Sequence, residues 1–159
     1  MNREDARCPA DGHGEDAPGS GTPAHPGPAV TLRPVDATIR SAVLALAVRS
    51  EQASFVATPD TYLRMCDTGG VWQPLAVLEG DRVVGFLMWG VDEDDDSCWL
   101  GGFIVDAAHQ GRGLGRAAVL AALELLVEQG SKAGFALSYE AENVTAAGLY
   151  TSLGFVPTG

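Results

Sequence analysis

The 159-residue sequence holds a single lysine, Lys132, and no run of basic residues. That scarcity argues against a nucleic-acid partner, because such binding rests on clustered Lys and Arg. No apolar stretch nears the roughly 20 residues that span a bilayer, so no membrane partner is expected. The N-terminus lacks the apolar core of a signal peptide, which points to a cytoplasmic protein. Three cysteines, Cys8, Cys66 and Cys98, are too few and too dispersed for a disulfide framework or a metal cluster. His13 and His25 stand apart in a polar stretch and form no metal site, so no metal is expected. What is abundant is acid: 21 Asp and Glu against 10 basic residues, a net charge of −11. With 46% hydrophobic residues, the chain reads as one acidic domain with a real core and small or cationic partners.

Residues 1–29 carry five of the nine prolines, five glycines and no aliphatic or aromatic residue beyond Met1 and alanines. Such a stretch buries too little apolar surface to offset its ordering entropy, and it is expected to be a disordered tail. A folded domain over 30–159 follows. Alternation predicts a strand at 30–35, and Asp36 predicts a capped helix over 36–49. Thr58-Pro59 marks a second helix start. Gly80-Asp81 joins strands at 73–79 and 82–91, and a fourth strand spans 98–106. A largely apolar helix is expected over 113–129, a fifth strand over 133–139 and a helix over 144–153. Asn143 caps that last helix and Gly154 ends it, before a strand begins at Phe155. This order predicts an α/β (α+β) fold, with a mixed, mainly antiparallel sheet flanked by helices.

The sharpest local feature is Gln110-Gly-Arg-Gly-Leu-Gly-Arg116, which follows a strand and opens the long helix. Glycines at 111, 113 and 115 let backbone N–H groups converge, and with the helix N-terminus they suit a pyrophosphate. Arg112 and Arg116 add positive charge. No Lys-Ser or Lys-Thr follows, so this is no P-loop, and the glycine spacing departs from the dinucleotide fingerprint. Read alone, the loop fits either an anion site or a turn that packs a helix on a strand. Asn143 and Tyr150 lie seven residues apart, on one helix face and roughly 10 Å apart along the axis. Alone, they also fit a cap and a half-buried core aromatic.

The form Gln110-x-x-Gly113-x-Gly115, between a fourth strand and a third helix, resembles the pyrophosphate loop of the GNAT acyltransferase superfamily. Downstream, Asn143, Leu149-Tyr150 and Gly154-Phe155 are similar to that superfamily's fifth strand and fourth helix. The resemblance covers residues 30–159 and implies acetyl-CoA as cosubstrate. It implies a splay between the fourth and fifth strands, where Phe103, Ile104 and Val105 pair with the pantetheine arm and offer backbone N–H groups to the thioester carbonyl. By the same resemblance, Gln110, Gly111, Arg112, Gly113, Gly115 and Arg116 hold the pyrophosphate, Asn143 touches the pantetheine, and Tyr150 faces the sulfur. A phenol is almost wholly protonated at neutral pH, as the acid for a departing thiolate must be. Glu140 is the candidate base for the amine, with Asp106 and Glu142 behind it. His109 is expected to face solvent or the nucleotide end of CoA.

The segments Glu51-Gln-Ala-Ser-Phe-Val-Ala57 and Val84-Gly-Phe-Leu-Met-Trp-Gly90 resemble bacterial spermine/spermidine (diamine) acetyltransferases. They imply a small cationic amine as acceptor, a polyamine among the candidates. The five carboxylates at 92–96 fit either a solvated turn or a collar for a polycation. Aminoglycoside-type and protein N-terminal acetyltransferases, and a non-catalytic CoA-binding sensor, are the rival readings. Gly101-Gly102 stand where related polyamine enzymes carry polar side chains, which implies a bulkier or different acceptor. A final strand of the family is expected to be missing after Gly159, leaving an acceptor wall absent or supplied by a second copy in a homodimer.

Overall fold

A computed structural model describes residues 3–9, 29–128 and 133–158. Gly80, in the left-handed region at φ +62°, turns β3 (Gln73–Glu79) into β4 (Arg82–Val91), where the Gly-Asp pair predicts a hairpin. β2 (Thr31–Pro34) pairs with β3, and β5 (Cys98–Val105) with β4, all antiparallel. From β5 the chain crosses through α3 (Leu114–Glu128) to β6 (Phe135–Glu140), which runs parallel to β5 as a strand–helix–strand crossover requires. α4 (Val144–Ser152) starts on Asn143, whose Oδ1 accepts the Ala146 N–H at 3.1 Å. It ends before Gly154, whose φ of +98° suits the residue past a helix, and the short β7 (Val156–Pro157) follows.

The expected tail is corrected at its start. Arg3–Cys8 form a strand, β1, antiparallel to β6 from Arg3 opposite Glu140 to Cys8 opposite Phe135. β1 also pairs with β7 through Ala6 and Arg7, so the sheet order is β2-β3-β4-β5-β6-β1-β7. The cause is tertiary. Ala6 and Cys8 alternate into the core at 1% and 2% exposure, while Arg3, Asp5 and Arg7 face the other side. Arg7 pairs with Asp95 at 3.2 Å and lies over the Trp99 ring, tying the strand to the β4–β5 turn. This strand also corrects the expectation of a missing final strand. The place beside β6 is filled by the chain's own N-terminal residues, and a second copy is not needed to fill it. Residues 1–2 and 10–28 of the expected tail lie outside the described residues.

The helix expected over 36–49 is shorter. α1 spans Arg40–Leu44, and the Asp36 carboxylate accepts the Thr38 N–H at 2.9 Å in a local turn instead of capping a helix. Beyond α1, Ala47 gives its N–H to Asp106 at 3.1 Å and accepts the Ala107 N–H at 2.7 Å, so tertiary bonds replace helical ones. α2 (Pro59–Asp67) begins as predicted, with Thr58 Oγ1 accepting the Thr61 N–H at 3.2 Å. The sheet separates two cores. α3 and α4 cover Leu87, Leu137 and Phe155 on one face. α1 and α2 cover Phe86, Met88 and Ile104 on the other, a cluster that includes no residue of β6 or β1.

Candidate active site

Between Phe86 and Met88, β4 advances two residues while β5 advances three, from Ile104 to Gly101. Gly102 sits in this bulge at φ +61°. A bulge bends its strand, and pairing of β5 with β6 stops after Leu100 and Leu137. The splay therefore opens between the two strands where it is expected. The Asp106 N–H reaches Val84 O at 2.9 Å on the β4 side. By strand alternation, the N–H groups of Phe103 and Val105 point the other way, into the splay. Ile104 is turned from the gap, its side chain 2% exposed in the core under α1 and α2.

The splay holds a cavity of about 260 Å³. Phe103, Val105, Gln110, Gly111, Gly113, Gly115, Glu140, Asn143 and Tyr150 all line it. The sequence-predicted residues thus converge, except Ile104, Arg112 and Arg116. Arg112 instead pairs with Glu79 at 2.6 Å, and Arg116 donates to Ser152 Oγ at 2.8 Å, bridging α3 to α4. Gln110 is an organiser of the loop: its Nε2 donates to Val105 O at 2.8 Å and exchanges hydrogen bonds with the Gln52 amide at 2.9 and 3.1 Å.

Gly111 and Gly113 adopt φ of +83° and +81°, and Gly115 packs against Phe103 and Leu149. The loop amides and the N-terminal amides of α3 lack helical acceptors and border the cavity, a cradle that fits a pyrophosphate. A β-branched side chain at φ +81° is strained. Gly113→Val is therefore expected to weaken acetyl-CoA binding about 30-fold by calorimetry, while the strain lowers the thermal midpoint by several degrees. Unchanged affinity would remove the loop from the binding site.

Tyr150 is 9% exposed, with Tyr139 and Phe155 rings at 5.6 and 6.0 Å. Burial holds its phenol well above the ordinary tyrosine range; Tyr62 adds to this and Arg3 opposes it. The phenol therefore keeps its proton at neutral pH. Glu140, 7% exposed, is ion-paired with Arg3 at 3.0 Å. Asp106 is committed to the Ala47 and Ala108 N–H groups, and Glu142 is exposed away from the cavity wall. His109 lies outside the wall, 3.5 Å from Arg112. None of the cysteines lines the cavity, and burial beside Asp67 pushes the Cys66 thiol up to about 11, away from a reactive thiolate.

Sequence reasoning missed Arg3, Gln52, Tyr62 and Ser138, all on the cavity wall. Tyr62 accepts the Ala57 N–H at 2.9 Å, and its ring lies 3.1 Å from where a Cβ on Gly102 would sit. A Cβ on Gly101 would meet Trp72 at 3.3 Å. The two glycines, which themselves line the cavity, thus admit aromatic rings from elsewhere in the chain. The acidic turn is also not a collar on this cavity, since none of residues 92–96 lines it. Its groups serve the turn: Asp92 accepts the Asp94 N–H, and Asp95 accepts from Ser97 while pairing with Arg7.

Comparison with known proteins agrees with this geometry. A sequence model of the acetyltransferase (GNAT) family matches residues 40–155. The spermine/spermidine N(1)-acetyltransferase of Bacillus subtilis is 31% identical over 132 residues, covering 79% of this chain and 87% of that protein. A tandem GNAT protein from the clavulanic acid biosynthesis pathway superposes with a TM-score of 0.69 at 18% identity, over 98% of this chain and 50% of its own. A ribosomal L7/L12 α-N-protein acetyltransferase solved with coenzyme A superposes with a TM-score of 0.68 at 14% identity, over 86% and 84%.

Proposed function

The chain belongs to the acetyltransferase (GNAT) family and is an acetyl-CoA-dependent N-acetyltransferase; on that premise we propose direct acetyl transfer to a small primary amine. One observation carries the reading: a single cavity is bordered at once by the glycine loop, the unpaired edge of β5 and the buried Tyr150 phenol. Acetyl-CoA supplies an activated acetyl group and a sulfur leaving group when bound. The loop amides at 111–115 would hold its diphosphate, and Asn143, on the same cavity wall, would hold its pantetheine arm. The Phe103 and Val105 N–H groups stabilise negative charge on a carbonyl oxygen, and such a donor contributes about 3 kcal/mol. Tyr150 keeps a proton at its phenol oxygen for the departing sulfur. Glu140, the one carboxylate on the wall among the described residues, takes up the proton of the amine.

A polyamine acceptor is the second reading, supported by the 31% identity to the Bacillus subtilis enzyme. Calorimetry with acetyl-CoA, followed by thiol release over polyamines, aminoglycosides, amino acids and peptides, tests the proposal. Binding with turnover of one small-amine class is expected. Turnover of protein N-termini alone would overturn the small-amine acceptor, and binding without turnover would favour a CoA sensor.

A further inference from the structure

We propose that Arg3, brought to the cavity by β1, selects the acceptor: a primary amine bearing its own carboxylate, of free amino-acid type, in preference to a polycation. This rests on the N-acetyltransferase reading above and deepens it. Arg3 stands directly across from Glu140 in the β1–β6 ladder, so their side chains share one face. That is the face turned away from the core under α3 and α4, into which the alternate residues Leu137 and Tyr139 point. The Arg3 guanidinium donates to Glu140 Oε1 at 3.0 Å, to Ser138 O at 3.0 Å, and to Ser138 Oγ at 3.1 and 3.3 Å.

The charges decide the acceptor. Arg3 and Glu140 are the only ionised side chains on the cavity wall among the described residues, and they cancel. A polyamine would find no net negative wall, and its distal ammonium groups would meet a guanidinium. The acidic turn adds no carboxylate to this wall, because it lies outside the cavity, and its Asp95 is paired with Arg7. A zwitterion matches the wall at both ends. Its ammonium approaches Glu140, whose Oε2 is not engaged by Arg3, and its carboxylate approaches the guanidinium. A guanidinium has five N–H donors, and the four bonds above leave one uncommitted; 47% of the Arg3 side chain is exposed. Val48, Phe55 and Val56 supply apolar wall for a small side chain. Arg3 and Tyr150 line the same cavity.

The test compares leucine, isoamylamine (leucine without its carboxylate) and spermidine as acceptors for the wild type, Arg3→Gln and Arg3→Lys. For the wild type, kcat/KM is expected to be at least about tenfold higher for leucine than for either other amine. Arg3→Gln should erase the leucine preference, chiefly through KM, and Arg3→Lys should restore part of it. Independently of turnover, calorimetry on CoA-loaded protein should show N-acetyl-leucine binding about tenfold more weakly to Arg3→Gln, with N-acetyl-isoamylamine unchanged. A wild-type preference for spermidine, or a leucine preference unaltered in Arg3→Gln, would overturn the proposal. Absence of acetyl-CoA binding by the wild type would overturn the N-acetyltransferase reading itself, and this proposal with it.

Discussion

Tyr150→Phe is expected to lower kcat by about 10²- to 10³-fold while acetyl-CoA binds within about threefold of wild type. The substitution removes one oxygen from a ring already held by Tyr139 and Phe155, so packing and the loop cradle stay as they are. What is lost is the proton that a departing sulfur needs. An unchanged kcat, measured by thiol release under saturating substrates, would remove the acid role. The environment of the phenol adds a pH signature. Burial raises its pKa above the value of about 10 for an exposed tyrosine. No falling limb in kcat is therefore expected from this group near pH 10. The folded pKa lies above the unfolded one, so the stabilisation is complete below pH 10. It is lost as pH rises further, because the unfolded chain releases its proton first. Wild type should accordingly lose thermal stability above pH 10 more steeply than Tyr150→Phe.

Ala6→Asp is expected to lower the thermal midpoint by roughly 10 °C. Ala6 is 1% exposed, lies opposite Leu137, and is paired on its other side with Pro157. A carboxylate there is buried without a partner, at a cost of about 3 kcal/mol or more. At this chain length each kcal/mol moves the midpoint by about 2–4 °C. The protein escapes part of that cost only by releasing β1, which withdraws Arg3 from the cavity and strips β7 of its neighbour. Hydrogen exchange at residues 3–8 and 135–140 should rise together. Asp5→Ala, one residue away on the opposite face, should change stability by less than about 0.5 kcal/mol. If Ala6→Asp melts like wild type, β1 contributes nothing to the folded sheet.

The parts legible in the sequence are those whose determinants are local. Gly80-Asp81 demanded a hairpin, Thr58-Pro59 a helix start, and Asn143 with Gly154 the two ends of α4; each has the backbone geometry its chemistry requires. The glycine loop was legible for the same reason. β1 was not, because Arg-Glu-Asp-Ala-Arg-Cys has only two residues to bury and its strand character comes from β6 and β7. The early end of α1 was hidden likewise, since Asp106 and Ala107, some sixty positions away, capture the Ala47 backbone. Tyr62 and Ser138 carry no motif of their own. They reach the cavity because a bulge at Gly102 pries β5 from β6, a consequence of register that no single stretch displays.

The position of β1 between β6 and β7 has a consequence for how the molecule is made. Arg3 pairs with a residue 137 positions later in the chain, and Ala6 pairs with Pro157. β1 therefore has no partner strand until β6 and β7 have emerged, and the closing contact is among the longest-range of the described residues. Loop closure over such a span is slow and stabilises only when complete. During synthesis β6 presents an unpaired edge that in the finished protein is covered, an interval in which a chaperone or another nascent chain can compete for it. Because that same docking step delivers Arg3, a chain caught before it holds an assembled cofactor cradle and an unfinished acceptor wall.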